Sequence, residues 1–333
     1  MIRVGVIGYG YWGPNIVRNF RSIDPDCVTA ISDLNPKALA KAGKQYPAIA
    51  MTTDCRDILR STEIDAVAVI TPVATHYSLV REALENGKHV FVEKPFTDNV
   101  AHAEELLELA DRKKLKIMVD HTFLFTGAVK KIKELIDKGT LGKIYYFDSM
   151  RVNLGLFQTD VNVVWDLAPH DLSIMQYLIS EKPQAVVATG ENHVNGKEDI
   201  AYITVYLENN IIAHFNVNWL SPVKVRMTLI GGEQKSLVWN DLVADEKIRV
   251  YDKGVQKNNT NGVYEMLVSY RMGDVWAPRI ENTEALQLET RYFIDCIEND
   301  EVPFNDARAG LEIVRILEAT NKSLERKGGM IYL

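Results

Sequence analysis

Several residues in this sequence have the types and spacings that chemistry can use. Asp166 and His170 stand four apart. On a helix that spacing puts both on one face, reaching into the same space. An imidazole, with an ordinary pKa of about 6.5, suits reversible proton transfer near neutrality. A carboxylate one turn earlier can orient it, or bind a neighbouring hydroxyl. Lys94, flanked by Glu93 and Pro95, directly follows the apolar run HVFV at residues 89–92. An ammonium at a strand end can hold a reacting oxygen or relay its proton. Gly8, Gly10 and Gly13 fit GxGxxG, with Tyr9, Tyr11 and Trp12 between them. The first glycine permits a tight turn, the second lets the backbone approach a pyrophosphate, and the third lets helix and strand pack closely. Asp33 stands 20 residues after Gly13. A carboxylate there can accept from both ribose hydroxyls and would repel a 2′-phosphate, which favours NAD over NADP. Plainer readings exist for each: a solvated lysine, an Asp/His pair that is only a hydrogen bond, a glycine turn without a ligand, and an Asp33 that caps the helix opened by Asn35-Pro36.

The elements that must position these residues follow from hydrophobic pattern. Residues 2–7, 27–32, 65–71, 89–92 and 117–119 are short apolar runs. Between them lie helical stretches, one with Ile16, Val17 and Phe20 on one face, another at residues 77–85 stopped by Asn86-Gly87. Strands alternating with helices predict βαβ units and a doubly wound parallel sheet of the Rossmann kind. The glycine turn then follows a strand and opens a helix, the context it requires. After about residue 120 the rhythm changes. A helix at 127–138 precedes alternating or β-branched runs at 145–153, 185–191, 200–207, 211–219 and 225–231, interrupted by a helix at about 165–178. Helices around 284–298 and 307–325 close the chain, and 253–262 reads as a polar, Asn-rich mobile loop. The expected division is therefore a dinucleotide-binding domain at 1–120 and an α+β domain at 121–333 with a large, mostly antiparallel open sheet.

With 333 residues, two domains are comfortable. Charged residues make up 25% and the net charge is -7, which argues against non-specific nucleic-acid binding while leaving room for a local basic pocket. Cys27, Cys55 and Cys296 are far apart and form no CxxC pair, so neither a disulfide framework nor a zinc site is expected. The histidines show no HxxxH or HxH spacing, and no metal is expected. No apolar run approaches the ~20 residues of a membrane span. Met1-Ile2-Arg3 runs straight into a strand pattern without a signal peptide, and a cytoplasmic location is expected.

Glu93-Lys94-Pro95, taken with the glycine turn, Thr71-Pro72 and His76, resembles the glucose-fructose oxidoreductase/inositol dehydrogenase/rhizopine-catabolism (Gfo/Idh/MocA) family. So do Trp165-Asp166-Leu167-Ala168-Pro169-His170-Asp171, which matches the family's Asp-x-x-x-His pair, and the closing segments from Glu284 to Gly310-Leu311. The resemblance covers nearly the whole chain. It implies a Rossmann domain, an α/β domain with an open sheet, and homodimers or homotetramers built by packing those sheets. It assigns Lys94, Asp166 and His170 to one cluster that oxidises an alcohol, the nicotinamide taking the hydride and the protein the proton. Within the family, NVVWDLAPHD at 162–171 most resembles the branch acting on nucleotide-linked sugars, which oxidises the 3-hydroxyl of UDP-N-acetylglucosamine or a relative ahead of an amination.

Further candidates follow. Thr71, Pro72 and His76 fall where the family's loop passes the nicotinamide ribose; a helix N-terminal histidine without a ligand is the alternative. Glu93 shapes the cofactor site, and Tyr11 belongs to its turn. Trp12 lies over the pyrophosphate or is surface packing. His121 lines the site with Phe123, the latter better read as core. Arg151 and Asn153 alternate with Val152 and point to one side of a strand. Arg151 is a candidate diphosphate partner, or a strand-face charge in an oligomer interface. Trp165 packs on the nicotinamide or substrate, or anchors its helix. Two other functions stay open: a dehydrogenase of free sugars or inositols (or a 3-ketosugar reductase), and a non-catalytic NAD-binding protein.

Overall fold

The computed structural model describes residues 1–155, 157–257 and 268–333. They divide into two compact units, Met1–Phe125 with Thr283–Glu318, and Thr126–Asn282 with Ala319–Leu333. The linear division at residue 120 is corrected accordingly. Residues 283–318 belong with the first unit, because their apolar faces complete its core.

The first unit alternates β1 (Val4–Ile7), α1 (Gly13–Ile23), β2 (Val28–Ser32), α2 (Pro36–Gln45), β3 (Ala50–Thr52), α3 (Arg56–Leu59), β4 (Ala66–Val69), α4 (His76–Glu85), β5 (His89–Glu93), α5 (Val100–Lys113) and β6 (Ile117–Asp120). Among the described residues its six strands pair in the order β3-β2-β1-β4-β5-β6, and every pairing is parallel. β1, β4 and β6 are buried at every position, as strands covered on both faces must be. The order turns back on itself between β1 and β4, and open α/β sheets bind ligands at such a switch point.

The second unit opens with α6 (Gly127–Asp137), started by the Thr126 hydroxyl, which accepts the Val129 N–H. Then come β7 (Ile144–Leu154), α7 (Val163–Leu178), β8 (Pro183–Glu191), β9 (Ile200–Leu207), β10 (Ile212–Asn218), β11 (Leu220–Gly232), β12 (Ser236–Asn240), β13 (Ile248–Lys257) and β14 (Val268–Trp276). The chain closes with α8 (Ala285–Glu298), α9 (Ala307–Glu325) and β15 (Ile331–Tyr332). Among the described residues nine strands form one sheet, β14-β13-β12-β11-β7-β10-β9-β8-β15. All pairings are antiparallel except that of β7 with β10. Burial alternates along β9 and β10, so one face is packed and the other, with Tyr202, Tyr206 and His214, is open. Residues 253–257, expected in a loop, extend β13 and pair with β14. Residues 258–262 of that expected loop lie outside the described residues.

Aromatic packing shows why α8 belongs to the first unit. Phe20 of α1, Phe91 of β5 and Phe293 of α8 are fully buried and meet edge to face, with centroids 5.6–6.2 Å apart. Such pairs are worth roughly 0.5–1.5 kcal/mol each beyond the area they bury.

Candidate active site

The β1–α1 turn carries the three glycines, and each is glycine for a different physical reason. Gly8 has a φ of +101°, and a Cβ there would stand 2.1 Å from the Ile70 carbonyl oxygen. At Gly13 a Cβ would stand 2.5 Å from the Gly8 carbonyl oxygen. At Gly10 it would meet nothing within 4 Å. Gly8 and Gly13 are therefore demanded by the protein's own packing. Gly10 is not, and the open space over it is where a ligand's backbone contact belongs. Tyr11, 90% exposed, projects into solvent from the same turn.

Asp33, at the carboxyl end of β2, is fixed on this turn. One carboxylate oxygen accepts the Tyr9 N–H at 2.6 Å and the other the Asn35 N–H at 2.7 Å. The helix cap is Asn35, whose side chain accepts the Lys37 N–H. The alternative of Asp33 as the cap is thus corrected: its carboxylate is turned toward the glycine turn. The donor set fits a dinucleotide, with a positioned carboxylate for the ribose and an α1 N-terminus without a side-chain cap for the pyrophosphate.

Trp12 donates its indole N–H to Asp120 Oδ2 at 2.9 Å. This tie holds the ring against the end of β6. Thr71 Oγ1 accepts from the Thr75 hydroxyl, and Pro72 precedes a short helical turn at Val73–Thr75. His76 is 0% exposed, with Nδ1 2.9 Å from the Pro95 carbonyl oxygen and Nε2 2.8 Å from that of Thr71. Its expected contact with the cofactor is corrected. The ring staples the loop after β4 to the loop after β5, and burial pushes its pKa down.

Glu93 ends β5 and turns back to accept the Lys94 N–H at 2.7 Å. Lys94 is half-buried at the carboxyl end of that strand. His121, one residue past β6, is buried, and neither ring nitrogen has a hydrogen-bond partner among the described residues. Burial and the nearby Lys94 charge push its pKa down to about 3, so the ring is neutral at physiological pH. A buried imidazole with both nitrogens unsatisfied is costly and marks a place for a polar guest.

In the second unit α7 begins where the Asn162 side chain accepts the Trp165 N–H. Asp166 and His170 follow on this helix, both half-buried. Asp166 Oδ2 accepts the indole N–H of Trp219 at 3.0 Å. Trp219 is buried at the joint between β10 and β11. Trp165 is buried too, and its indole nitrogen has no acceptor among the described residues.

Arg151 requires a correction. Its guanidinium is bidentate to Asp171 of α7, at 2.9 and 2.8 Å, and the two side chains are only 5% and 3% exposed. A fork closed on a buried carboxylate is not offered to a diphosphate. The strand alternation placed Arg151 correctly on one side of β7; that side faces α7. Sequence reasoning also passed over Trp219, Asp120 and Glu289 of α8. Asp120 carried a usable signal, since it ends a parallel strand beside His121. Trp219 and Glu289 carried none.

The comparisons agree with this architecture. Residues 2–121 match the family model described as the oxidoreductase family, NAD-binding Rossmann fold. Residues 129–238 match the Gfo/Idh/MocA C-terminal domain. The chain belongs to the Gfo/Idh/MocA family of oxidoreductases, and its first unit is an NAD-binding Rossmann domain. It is 29% identical to an uncharacterized oxidoreductase, YrbE, of Bacillus subtilis over 64% of this chain, an alignment spanning 65% of that relative. It is 24% identical to the myo-inositol 2-dehydrogenase of Thermotoga maritima, covering 98% of this chain and 97% of that one. Among solved structures it is similar to the UDP-N-acetylglucosamine 3-dehydrogenase GnnA of Acidithiobacillus ferrooxidans, with a TM-score of 0.81 at 22% identity and 98% coverage of both chains. The scyllo-inositol dehydrogenase of Lactobacillus casei with bound NAD(H) and scyllo-inositol has a TM-score of 0.80 at 20% identity, covering 100% of this chain and 99% of that one.

Proposed function

We propose that this protein oxidises a secondary hydroxyl of a sugar with NAD, and that its substrate is a nucleotide-linked sugar attacked at the 3-hydroxyl, as in UDP-N-acetylglucosamine. The observation that carries the dehydrogenase reading is Lys94 at the carboxyl end of β5, in the same sheet whose glycine turn leaves open space over Gly10. Ligands bind at that edge of a parallel sheet. NAD, when bound, supplies the hydride acceptor. Lys94 holds the reacting oxygen by its ammonium and favours loss of the hydroxyl proton. His170 accepts that proton, and Asp166 binds an adjoining hydroxyl or orients the imidazole. Thr71, Glu93 and His121 border the nicotinamide end. The nucleotide-sugar branch is supported by the 162–171 motif and by near full-length likeness to a UDP-N-acetylglucosamine 3-dehydrogenase.

A second reading is a dehydrogenase of unlinked polyols. It is favoured by Arg151, whose closure on Asp171 removes the diphosphate partner expected from the sequence, and by full-length likeness to inositol dehydrogenases. The test is NADH absorbance with UDP-N-acetylglucosamine, its 6-carboxylate, and myo- and scyllo-inositol. Lys94→Ala and His170→Asn should each lower kcat by about 10²–10⁴-fold. Inositol turnover without UDP-sugar turnover selects the second reading, and full activity in both variants removes the proposed roles. Self-association through the open face of the nine-stranded sheet, bearing Tyr202, Tyr206 and His214, accompanies either reading; light scattering measures it. Among the described residues no helix is long and apolar enough to cross a membrane.

A further inference from the structure

In the first unit lies a buried acid that none of the roles above uses. Glu289 of α8 is fully buried. Its Oε1 lies 3.3 Å from the Asn305 amide nitrogen, which also donates to the Val119 carbonyl at 2.8 Å. Among the described residues no donor reaches Oε2. Asp120 follows Val119, the residue whose carbonyl the same Asn305 amide holds, and is buried at the end of β6, where its charge is felt by Glu289, with Oδ2 taking the Trp12 N–H and Oδ1 the Thr122 hydroxyl. The Thr122 hydroxyl donates to Asp120 and also faces Glu289, where it opposes the upward push on the carboxyl. Two carboxylates buried in contact cannot both be charged. One must carry a proton, and the one whose oxygen lacks a donor is Glu289.

We propose that Glu289 is a positioning residue for the dinucleotide site. It donates its carboxyl hydrogen to Asp120, and the Asp120 carboxylate in turn holds Trp12, the residue between Tyr11 and Gly13 of the glycine turn. The chain of contacts runs from α8 through the end of β6 to the β1–α1 turn. The groups bearing charge on Glu289 are Asp120 of β6 and Glu93 of β5, both acidic. Burial first, then these two charges, push its pKa well above the ordinary range, against the Thr122 hydroxyl, which lowers it. Deprotonation of Glu289 sets like charges against each other and pushes Asp120 off the indole, so NAD affinity falls as pH rises. A neutral amide of the same shape reproduces the working state, since its NH₂ donates to Asp120 and its oxygen accepts from Asn305.

The inference rests on the assignment of the glycine turn to NAD, which Gly10→Ala tests by itself. The deciding measurement is the NAD dissociation constant by calorimetry, from about pH 6 to about pH 9, for the wild type, Glu289→Gln and Glu289→Leu. Glu289→Gln should bind within about twofold of wild type at neutral pH, and Glu289→Leu about tenfold more weakly. Wild-type affinity should weaken toward the alkaline end while that of Glu289→Gln stays level. Equal weakening of wild type and Glu289→Gln with pH overturns the proposal, as does a Glu289→Gln that binds tenfold worse at neutrality. If Glu289→Leu does not fold, the wild-type and Gln curves still decide. Melting temperatures give a second readout: the advantage of Glu289→Gln over wild type should grow from about pH 5 to about pH 8.

Discussion

Gly10→Ala separates what the fold needs from what the cofactor needs. The φ of Gly10 is not in the left-handed region, and an added methyl meets nothing within 4 Å. Nothing in the chain opposes alanine there. The substitution narrows the unfolded ensemble and should stabilise the ligand-free protein by about 0.4–1 kcal/mol. The cost appears only when NAD arrives. A methyl at the point of closest backbone approach keeps the pyrophosphate from its N–H donors, and one charge-assisted hydrogen bond is worth about 1.5–3 kcal/mol. NAD binding should therefore weaken about ten- to hundredfold. Gly8→Ala is the contrasting control. Its φ of +101° costs about 1–3 kcal/mol for a side chain, before the 2.1 Å approach to the Ile70 carbonyl is counted. It should lower the melting temperature without any ligand present. The assay is thermal denaturation with and without NAD, paired with calorimetric titration. A Gly10→Ala protein that is less stable alone, or that binds NAD with wild-type affinity, refutes the reasoning.

Other expectations concern buried charge. Arg151→Met takes the bidentate partner from the buried Asp171 carboxylate, leaving only the nearby Arg226 charge, and should cost up to about 3–5 kcal/mol, whereas Arg151→Met with Asp171→Leu should recover most of it; denaturant midpoints measure both, and a single variant costing under about 1 kcal/mol contradicts the pairing. His121 has its pKa pushed down to about 3, so the folded state refuses a proton that the unfolded state accepts below about pH 6.5. Stability is intact above that value and lost as pH falls toward 3, by about 2 kcal/mol at pH 5. His121→Phe should flatten this acid limb, and an unchanged limb would mean the ring is protonated in the fold. Trp219→Phe deletes the donor to Asp166 while keeping an aromatic ring, and should lower kcat about tenfold; in an Asp166→Asn background it should have little further effect.

Much of the first unit was legible because its strands are apolar at nearly every position, a pattern that survives without knowing their neighbours. The glycine turn, Asp33 and Lys94 could be placed for the same reason: each sits at a strand end that the pattern marks. The second unit yielded β7 to β11 but not β12 to β15, nor the order of any of them. Nothing local in residues 144–154 and 212–218 states that β7 and β10 run parallel. Alternation put Arg151 on one side of its strand, yet the side is decided by Asp171, which arrives from α7. His76 was misplaced because a histidine's two nitrogens look alike in sequence whether they meet a ligand or, as here, two carbonyls. Trp219 reaches Asp166 across 53 residues of chain, and no periodicity spans such a distance.

The return of residues 283–318 to the first unit bears on how the protein is made. Strands β1 to β6 leave the ribosome early, but Phe293 and Asn305 do not. Until they emerge, the Phe20–Phe91 contact lacks its third ring and Val119 lacks the Asn305 amide that accompanies it. The nascent dinucleotide domain therefore waits, with an apolar face uncovered, while the whole of the nine-stranded sheet apart from β15 is synthesised. Begun first, it is finished nearly last, so the core of the cofactor domain closes only when the chain is almost complete.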